Sequence, residues 1–213
     1  MPFFFEKKAR PDRLVAVWQI TETEEELLKL LPPLQEEEKS FLARVTFPAR
    51  KLEWLASRVL IYQYTGSYPA SRYKDNGQPF LTGCNDQISI SHTKGFAAIA
   101  LSKNNTPGID IEYPSARIEK VMNRFLHPEE HRFLSTTDLR NRQMGLIWCL
   151  KEAVFKQTGI PGLSFKDQII TRPFMPSSDE GEIFARLILP GKMELPIKLE
   201  YHIHQDFYLT WTI

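Results

Sequence analysis

The chain has 213 residues, 42% of them hydrophobic and 25% charged, with 27 Lys and Arg against 26 Asp and Glu for a net charge of +1. That length supports one large domain or two small ones with a core that needs neither disulfides nor a metal. The charge balance excludes a globally basic nucleic-acid binder, and no stretch approaches the about 18 apolar residues of a transmembrane helix. Cys84 and Cys149 lack the paired spacing of a zinc site or a disulfide framework, which points to a reducing cytoplasm. The apolar run in "MPFFFEKKARPDR" is too short for a secretory signal, and its charges follow rather than precede it.

In chain order, "LVAVWQI" (14–20) reads as a buried strand, and Thr21 or Thr23 caps a short helix, "EEELLKLL", that stops at Pro32-Pro33. "LQEEEKSFLARV" is helical. "PARKLEWLASRVLIYQYTG" is a longer helix, with Pro48 near its start and Gly66 past its end. Leu52, Leu55, Val59 and Tyr62 give it a core face. "YKDNGQPFL" is a turn. "QISISHTKGFAAIALSKNNTPGIDIEY" reads as three strands with hairpin-like connections at "HTKG" and "KNNTPG". Helices follow at "SARIEKVMNRFL", "HPEEHRFL" and "NRQMGLIWCLKEAVFKQTG". Strands dominate from 165 onward, in "IFARLIL", "IKLEYHI" and "FYLTWTI". The order is α+β rather than alternating βα units. The two halves, 1–107 and 108–213, have loosely similar order.

Two stretches carry chemistry. In "GIDIE", Asp110 and Glu112 stand at i and i+2 of a strand, so they share a face with Cβ atoms about 6.7 Å apart. Like charges that close need a cation between them, unless the strand ends at Asp110 and Glu112 is already in solvent. In "WCLKEAVFK", helical spacing puts Ile147, Cys149, Leu150, Ala153 and Val154 on one apolar face, and Trp148, Lys151, Glu152, Phe155 and Lys156 on the other. An exposed Glu152–Lys156 pair is the plain reading of that second face, but it would leave two large aromatics exposed as well. Mg²⁺ takes one or two protein carboxylates, waters and phosphate oxygens. Asp110 and Glu112, with Glu129 or Glu130 offering a third acid and lysines holding the remaining charge, imply a metal-bridged pyrophosphate and phosphoryl or phosphodiester transfer.

With both motifs in place, the chain resembles the 4′-phosphopantetheinyl transferases. That family carries a G-I/V-D strand and a W/F-x-x-K-E-x-x-x-K helix some forty residues apart, and a strand ending in S-H; here these are "GIDIE", "WCLKEAVFK" and "ISISHTKGF", in the family's order. The mid-chain position of "GIDIE" is similar to that of the Sfp type, which implies an α+β pseudodimer of two similar halves with one active site between them, acting as a monomer. The resemblance implies Mg²⁺-dependent transfer of phosphopantetheine from coenzyme A to a serine of an acyl or peptidyl carrier protein, releasing adenosine 3′,5′-bisphosphate. It assigns Asp110, Glu112 and Glu130 as metal ligands, with Glu129 as the fallback. Glu152 matches the general base, Lys156 the residue that neutralises the transferring phosphate, and Lys151 the one preceding the base. Ser91 and His92 match contacts to the 3′-phosphate end of coenzyme A. The upstream basic contacts fall among Lys39, Arg44, Arg50 and Lys51.

One departure stands out. The family often has G-K-P before the S-H strand, where this chain has "NGQPFL", so Gln78 replaces a lysine that reaches the coenzyme's phosphates. Lys74 is the candidate substitute, and weaker coenzyme A binding is the expectation. A non-catalytic homologue that binds carrier or coenzyme A is the rival reading. Arg117, Lys120 and Arg124 fall on one helical face, a docking face for an acidic carrier if they are more than a solvated stripe. His202 and His204 alternate on a strand and are assigned no role.

Overall fold

The computed structural model of the protein describes residues 3–10, 12–136 and 139–212. Two antiparallel sheets carry the fold. The first contains β1 (Phe3–Arg10), β2 (Arg13–Gln19), β5 (Gln87–Thr93) and β6 (Phe96–Ser102), in the spatial order β1-β2-β6-β5. Between β2 and β5 the chain forms α1 (Glu24–Lys29), α2 (Glu36–Arg44), α3 (Pro48–Thr65) and a separate hairpin of β3 (Ala70–Tyr73) and β4 (Pro79–Thr82). The second sheet contains β7 (Ile109–Glu112), β8 (Ile169–Thr171), β9 (Glu180–Ile188), β10 (Glu194–His204) and β11 (Phe207–Thr212), in the order β7-β11-β10-β9-β8. Helices α4 (Arg117–Phe125), α5 (Pro128–Phe133), α6 (Leu139–Thr158) and α7 (Phe165–Gln168) lie between β7 and β8 in the chain. In each sheet the strand that precedes the helices pairs with the last strand of the closing hairpin: β2 with β6, and β7 with β11. The architecture is α+β. Among the described residues no helix is long and apolar enough to cross a membrane.

Strand alternation distributes the core. Val15 and Val17 of β2, with Phe96 and Ala98 of β6, meet Ile109, Ile111, Phe207, Leu209 and Trp211 of the second sheet in one buried cluster. The intervening Ala16, Trp18, Ala97 and Ile99 face α1 and α3. The first sheet is therefore covered on both faces, which is why "LVAVW" is an unbroken apolar run rather than an alternating one. Leu146, Leu150, Ala153 and Val154 of α6 pack on the other face of the second sheet, with Leu199, Tyr201 and Tyr208.

The sheets are also joined by polar groups. Ser89, Ser91 and Thr93 occupy alternate positions of β5. Their hydroxyl oxygens accept from the backbone N–H groups of Ile109 (3.2 Å), Ile111 (3.3 Å) and Tyr113 (2.9 Å) along β7. A side-chain ladder thus satisfies donors that no neighbouring strand reaches on that edge, since β7 is the outer strand of its sheet.

The predicted helices form, including the Thr23 cap with its Glu26 capping box. Four features differ from the sequence reading. The N-terminal aromatic run is strand β1, paired with β2; Phe4 packs edge-on against Phe96 and Phe207. "KNNTPG" is not a hairpin turn: after β6 the chain crosses to the other sheet, where β7 pairs with β11. The short β3–β4 hairpin, α7 and β8 carry no periodic signal of their own and were not expected. His202 and His204 are partly buried by aromatic contact with Phe5 and Phe4 rather than lying free on the surface.

Replacing Ser89 by alanine leaves the buried Ile109 N–H without its acceptor. The unfolding free energy should fall by about 1–3 kcal/mol, read from urea denaturation with an unchanged m-value. A loss below about 0.5 kcal/mol would mean that water replaces the hydroxyl.

Candidate functional site

The ladder places Ser91 Oγ next to β7, and the site is built from that contact. Ser91 Oγ donates to Asp110 Oδ1 at 2.8 Å. Lys156 Nζ, from the last turn of α6, donates to the same Asp110 oxygen at 2.7 Å and to Ser91 Oγ at 2.9 Å. Asp110 is only 3% exposed, and its second oxygen, Oδ2, is buried with no hydrogen-bond partner. Glu112, two residues along the strand, accepts from Trp148 Nε1 at 3.0 Å. Both acids therefore turn toward α6, as their spacing predicts.

Glu152, on the same helix, joins them electrostatically. Burial and the nearby Asp110 carboxylate push its pKa up to about 7, with Glu112 adding to the rise and Lys156 opposing it. Glu112 is raised for the same reasons, burial first and then Asp110, while its bond from Trp148 opposes. Three carboxyl groups and one ammonium thus share a partly dry space.

Glu130 is not part of this group. It is fully buried, and both of its oxygens are taken. Oε2 accepts from Lys151 Nζ and from the His127 N–H, each at 2.7 Å; Oε1 accepts from the Thr171 N–H at 2.8 Å. The sequence "HPEE" is a capping box that folds Glu130 back onto the start of α5. Glu129 pairs with Arg186 at 2.7 Å. Neither candidate for the third ligand is thus free to join Asp110 and Glu112, and the carboxyl group coupled to that pair belongs to Glu152. Lys151 is likewise drawn away from the cleft: it is fully buried and also donates to the carbonyls of Phe125 and Phe165. Burial lowers its pKa to about 8 against the opposing pull of Glu130. Trp148 packs on Phe125 and Phe165, and Phe155 on Phe165, so both aromatics are braced by a core, and Trp148 also reaches the wall of a cleft.

Two clefts flank the site. One, of about 180 Å³, is lined by Arg50, Trp54, Tyr73, Ile90, His92 and Lys156, among others. The other, of about 560 Å³, includes Glu112, Tyr113, Arg117, Ile118, Trp148 and Tyr208 in its wall. His92 is held by Glu53, Nδ1 to Oε2 at 3.0 Å. Ser91 and His92 are strand neighbours and so project to opposite faces; Ser91 belongs with Asp110 and Lys156, His92 with the smaller cleft. Arg50, rather than Lys51, is the basic residue of α3 in that cleft; Lys51 lies 3.8 Å from Glu24. Lys39 and Arg44 bond within α2, to Glu36 and to the Ser40 carbonyl. Lys74 is exposed at the β3–β4 turn, between the cleft residues Tyr73 and Gly77. Sequence reasoning missed Glu53 and Trp54 because nothing at helical spacing marks them. It missed Ser89 and Thr93 although the S-x-S-x-T alternation was there to read.

Among the described residues no three His, Cys, Asp or Glu side chains are close enough together to hold a metal unaided. Two carboxylates with a spare buried oxygen on Asp110 do fit a cation that keeps waters or phosphate oxygens for its other positions.

The Glu130–Lys151 pair makes a direct prediction. Lys151→Met should lower stability by about 3–5 kcal/mol, because it strands a buried carboxylate. The drop should show in urea unfolding whether or not ligands are added.

Comparison with known proteins agrees with the motif reading. Residues 106–192 match the family model described as the 4′-phosphopantetheinyl transferase superfamily. The chain is 29% identical over 126 residues to the 4′-phosphopantetheinyl transferase AcpT of Salmonella typhi, covering 56% of this chain and 65% of that protein. It is 28% identical over 125 residues to AcpT of Salmonella typhimurium, with the same coverage. The matches thus span just under two thirds of the length of these relatives. The segment similar to that superfamily carries Asp110, Glu112, Glu152 and Lys156 on β7 and α6.

Proposed function

We propose that the protein transfers the 4′-phosphopantetheine group from coenzyme A to a serine of an acyl or peptidyl carrier protein, releasing adenosine 3′,5′-bisphosphate. The observation that carries this reading is the Asp110–Lys156–Ser91 cluster with its unpartnered Asp110 Oδ2, beside Glu112 and Glu152. In this reading Asp110 and Glu112 hold Mg²⁺, which would neutralise the pyrophosphate of coenzyme A and orient it. Lys156 carries part of the charge of the transferring phosphate, and the dry setting strengthens that interaction. Glu152, poised near neutrality, accepts the proton as the carrier serine oxygen bonds to the phosphorus and the bond to the bisphosphate oxygen breaks. The leaving group is already an anion and needs no strong acid. Glu130 and Lys151 act as supports of α5 and α6.

We further infer the Sfp type: a pseudodimer with its boundary near 107–108, acting as a monomer. The parallel strand orders of the two sheets and the location of the cluster, with Ser91 before that boundary and Asp110 after it, support this. The smaller cleft, with Arg50, Tyr73 and His92, suits the nucleotide end of coenzyme A. Arg117 edges the larger cleft, and Lys120 and Arg124 are exposed with it on α4, which suits an acidic carrier. The free thiols of Cys84 and Cys149 fit a reducing cytoplasm.

The test is mass spectrometry of fatty-acid, polyketide and peptide apo carriers after incubation with coenzyme A and Mg²⁺. A phosphopantetheine mass gain is expected, and Asp110→Ala and Glu152→Ala should each cut its rate at least about 100-fold. No gain on any carrier sinks the reading; coenzyme A binding by calorimetry without transfer would identify a non-catalytic homologue.

Reversing the charge of Arg117 and Lys120 should raise the KM for carrier and leave that for coenzyme A unchanged. Equal effects on both would place the carrier elsewhere.

A further inference from the structure

Gln78 stands where the related proteins often have lysine, yet its side chain is fully engaged. Its Nε2 donates to the carbonyls of Lys156 at 2.8 Å and Gln157 at 3.2 Å, in the last turn of α6. Its Oε1 accepts from Asn76 Nδ2 at 3.1 Å, and the same Asn76 nitrogen donates to the Gly159 carbonyl at 3.1 Å. The last carbonyls of a helix have no partners within the helix, and here a turn some eighty residues earlier in the chain supplies them.

The turn is itself braced. Asn76 Oδ1 accepts from the Gln78 N–H at 3.1 Å, and the Gln78 carbonyl accepts from the Lys74 N–H at 2.9 Å. The fit on the helix side is close. A Cβ on Gly159, whose φ is +60°, would sit 2.4 Å from Gln78 Cδ and 2.6 Å from Asn76 Nδ2. Glycine ends the helix there and leaves room for the two amides.

The residue whose carbonyl receives the shorter Gln78 bond is Lys156, whose ammonium reaches Asp110 and Ser91. We propose that Gln78, braced by Asn76, is a positioning residue. It caps α6 from the other half of the molecule and so fixes the backbone from which Lys156 reaches the site. In its catalytic consequence this rests on the transfer reading above. It replaces the expectation that Gln78 marks a weakened grip on coenzyme A: the side chain is turned to the helix end, and its neighbours Gly77 and Pro79, not Gln78, line the smaller cleft. Lysine at this position has the donors to bond the same carbonyls, and a cation suits a helix C-terminus.

The experiment compares Gln78→Ala and Gln78→Lys with the unaltered chain in two readouts. The first, independent of activity, is the ¹⁵N-lysine NMR signal of the Lys156 ammonium, assigned by its loss in Lys156→Gln. Gln78→Ala should shift or broaden it, and Gln78→Lys should restore it. The second is transfer kinetics: Gln78→Ala should lower kcat by about 10–100-fold with little change in the KM for coenzyme A, and Gln78→Lys should recover kcat. An unchanged ammonium signal in Gln78→Ala overturns the proposal, as does a changed signal with unchanged kcat, or a loss confined to KM. A changed signal in a protein that loads no carrier would uphold the positioning contact and overturn the transfer reading instead.

Discussion

The fold hinges on one contact, the row of β5 hydroxyls against the outer edge of β7. An outer strand offers unpaired N–H groups, and here Ser89, Ser91 and Thr93 meet three of them at alternate residues. The middle hydroxyl has a second task. While accepting from Ile111 and Lys156 it donates to Asp110, which uses the full capacity of a serine side chain. The two sheets and the candidate site therefore share an atom. Neither sheet alone can assemble the cluster, because its serine comes from one and its aspartate from the other.

Electrostatics divide "WCLKEAVFK" into two sectors. Lys151 and Glu152 are neighbours in sequence, yet Lys151 enters a fully buried pair with Glu130 while Glu152 is left among like charges. The first arrangement is satisfied at every polar atom; the second is under-satisfied, and a single ammonium, Lys156, offsets part of the repulsion. Under-satisfied charge of this kind, beside a well-satisfied support, is the pattern that clusters at functional sites.

How much of this was legible in the sequence varies with the kind of signal. Helical and strand periodicity gave the elements well, because Leu55 and Val59 or Val15 and Val17 repeat at the spacing that burial demands. Asp110 and Glu112 turn the same way because a strand alternates. In "HPEE" an acid near a turn reads as a ligand candidate, but E three residues after a cap position is also a capping signal, and Glu130 makes that capping contact. Lys151 could not be placed from the helical wheel, since a sector that looks wet on its own helix becomes dry once α5, α7 and β8 close over it. The destination of the chain after β6 was hidden too, because the partner of β7 lies about a hundred residues downstream, in β11.

The Lys151–Glu130 pair has a geometric consequence. It ties α6 to the start of α5 and, through the Thr171 N–H, to β8. Its anchor lies off the helix axis, so it fixes how far α6 is rolled about its own length as well as where it lies. Side-chain atoms on such a helix sit about 5–6 Å from the axis, so a roll of about ten degrees would carry Glu152 and Lys156 sideways by about 1 Å. A displacement of that size is enough to cost a reaction about a hundredfold in rate. The buried lysine is in this sense a rotational key: it touches neither cleft and still sets the aim of Glu152 and Lys156.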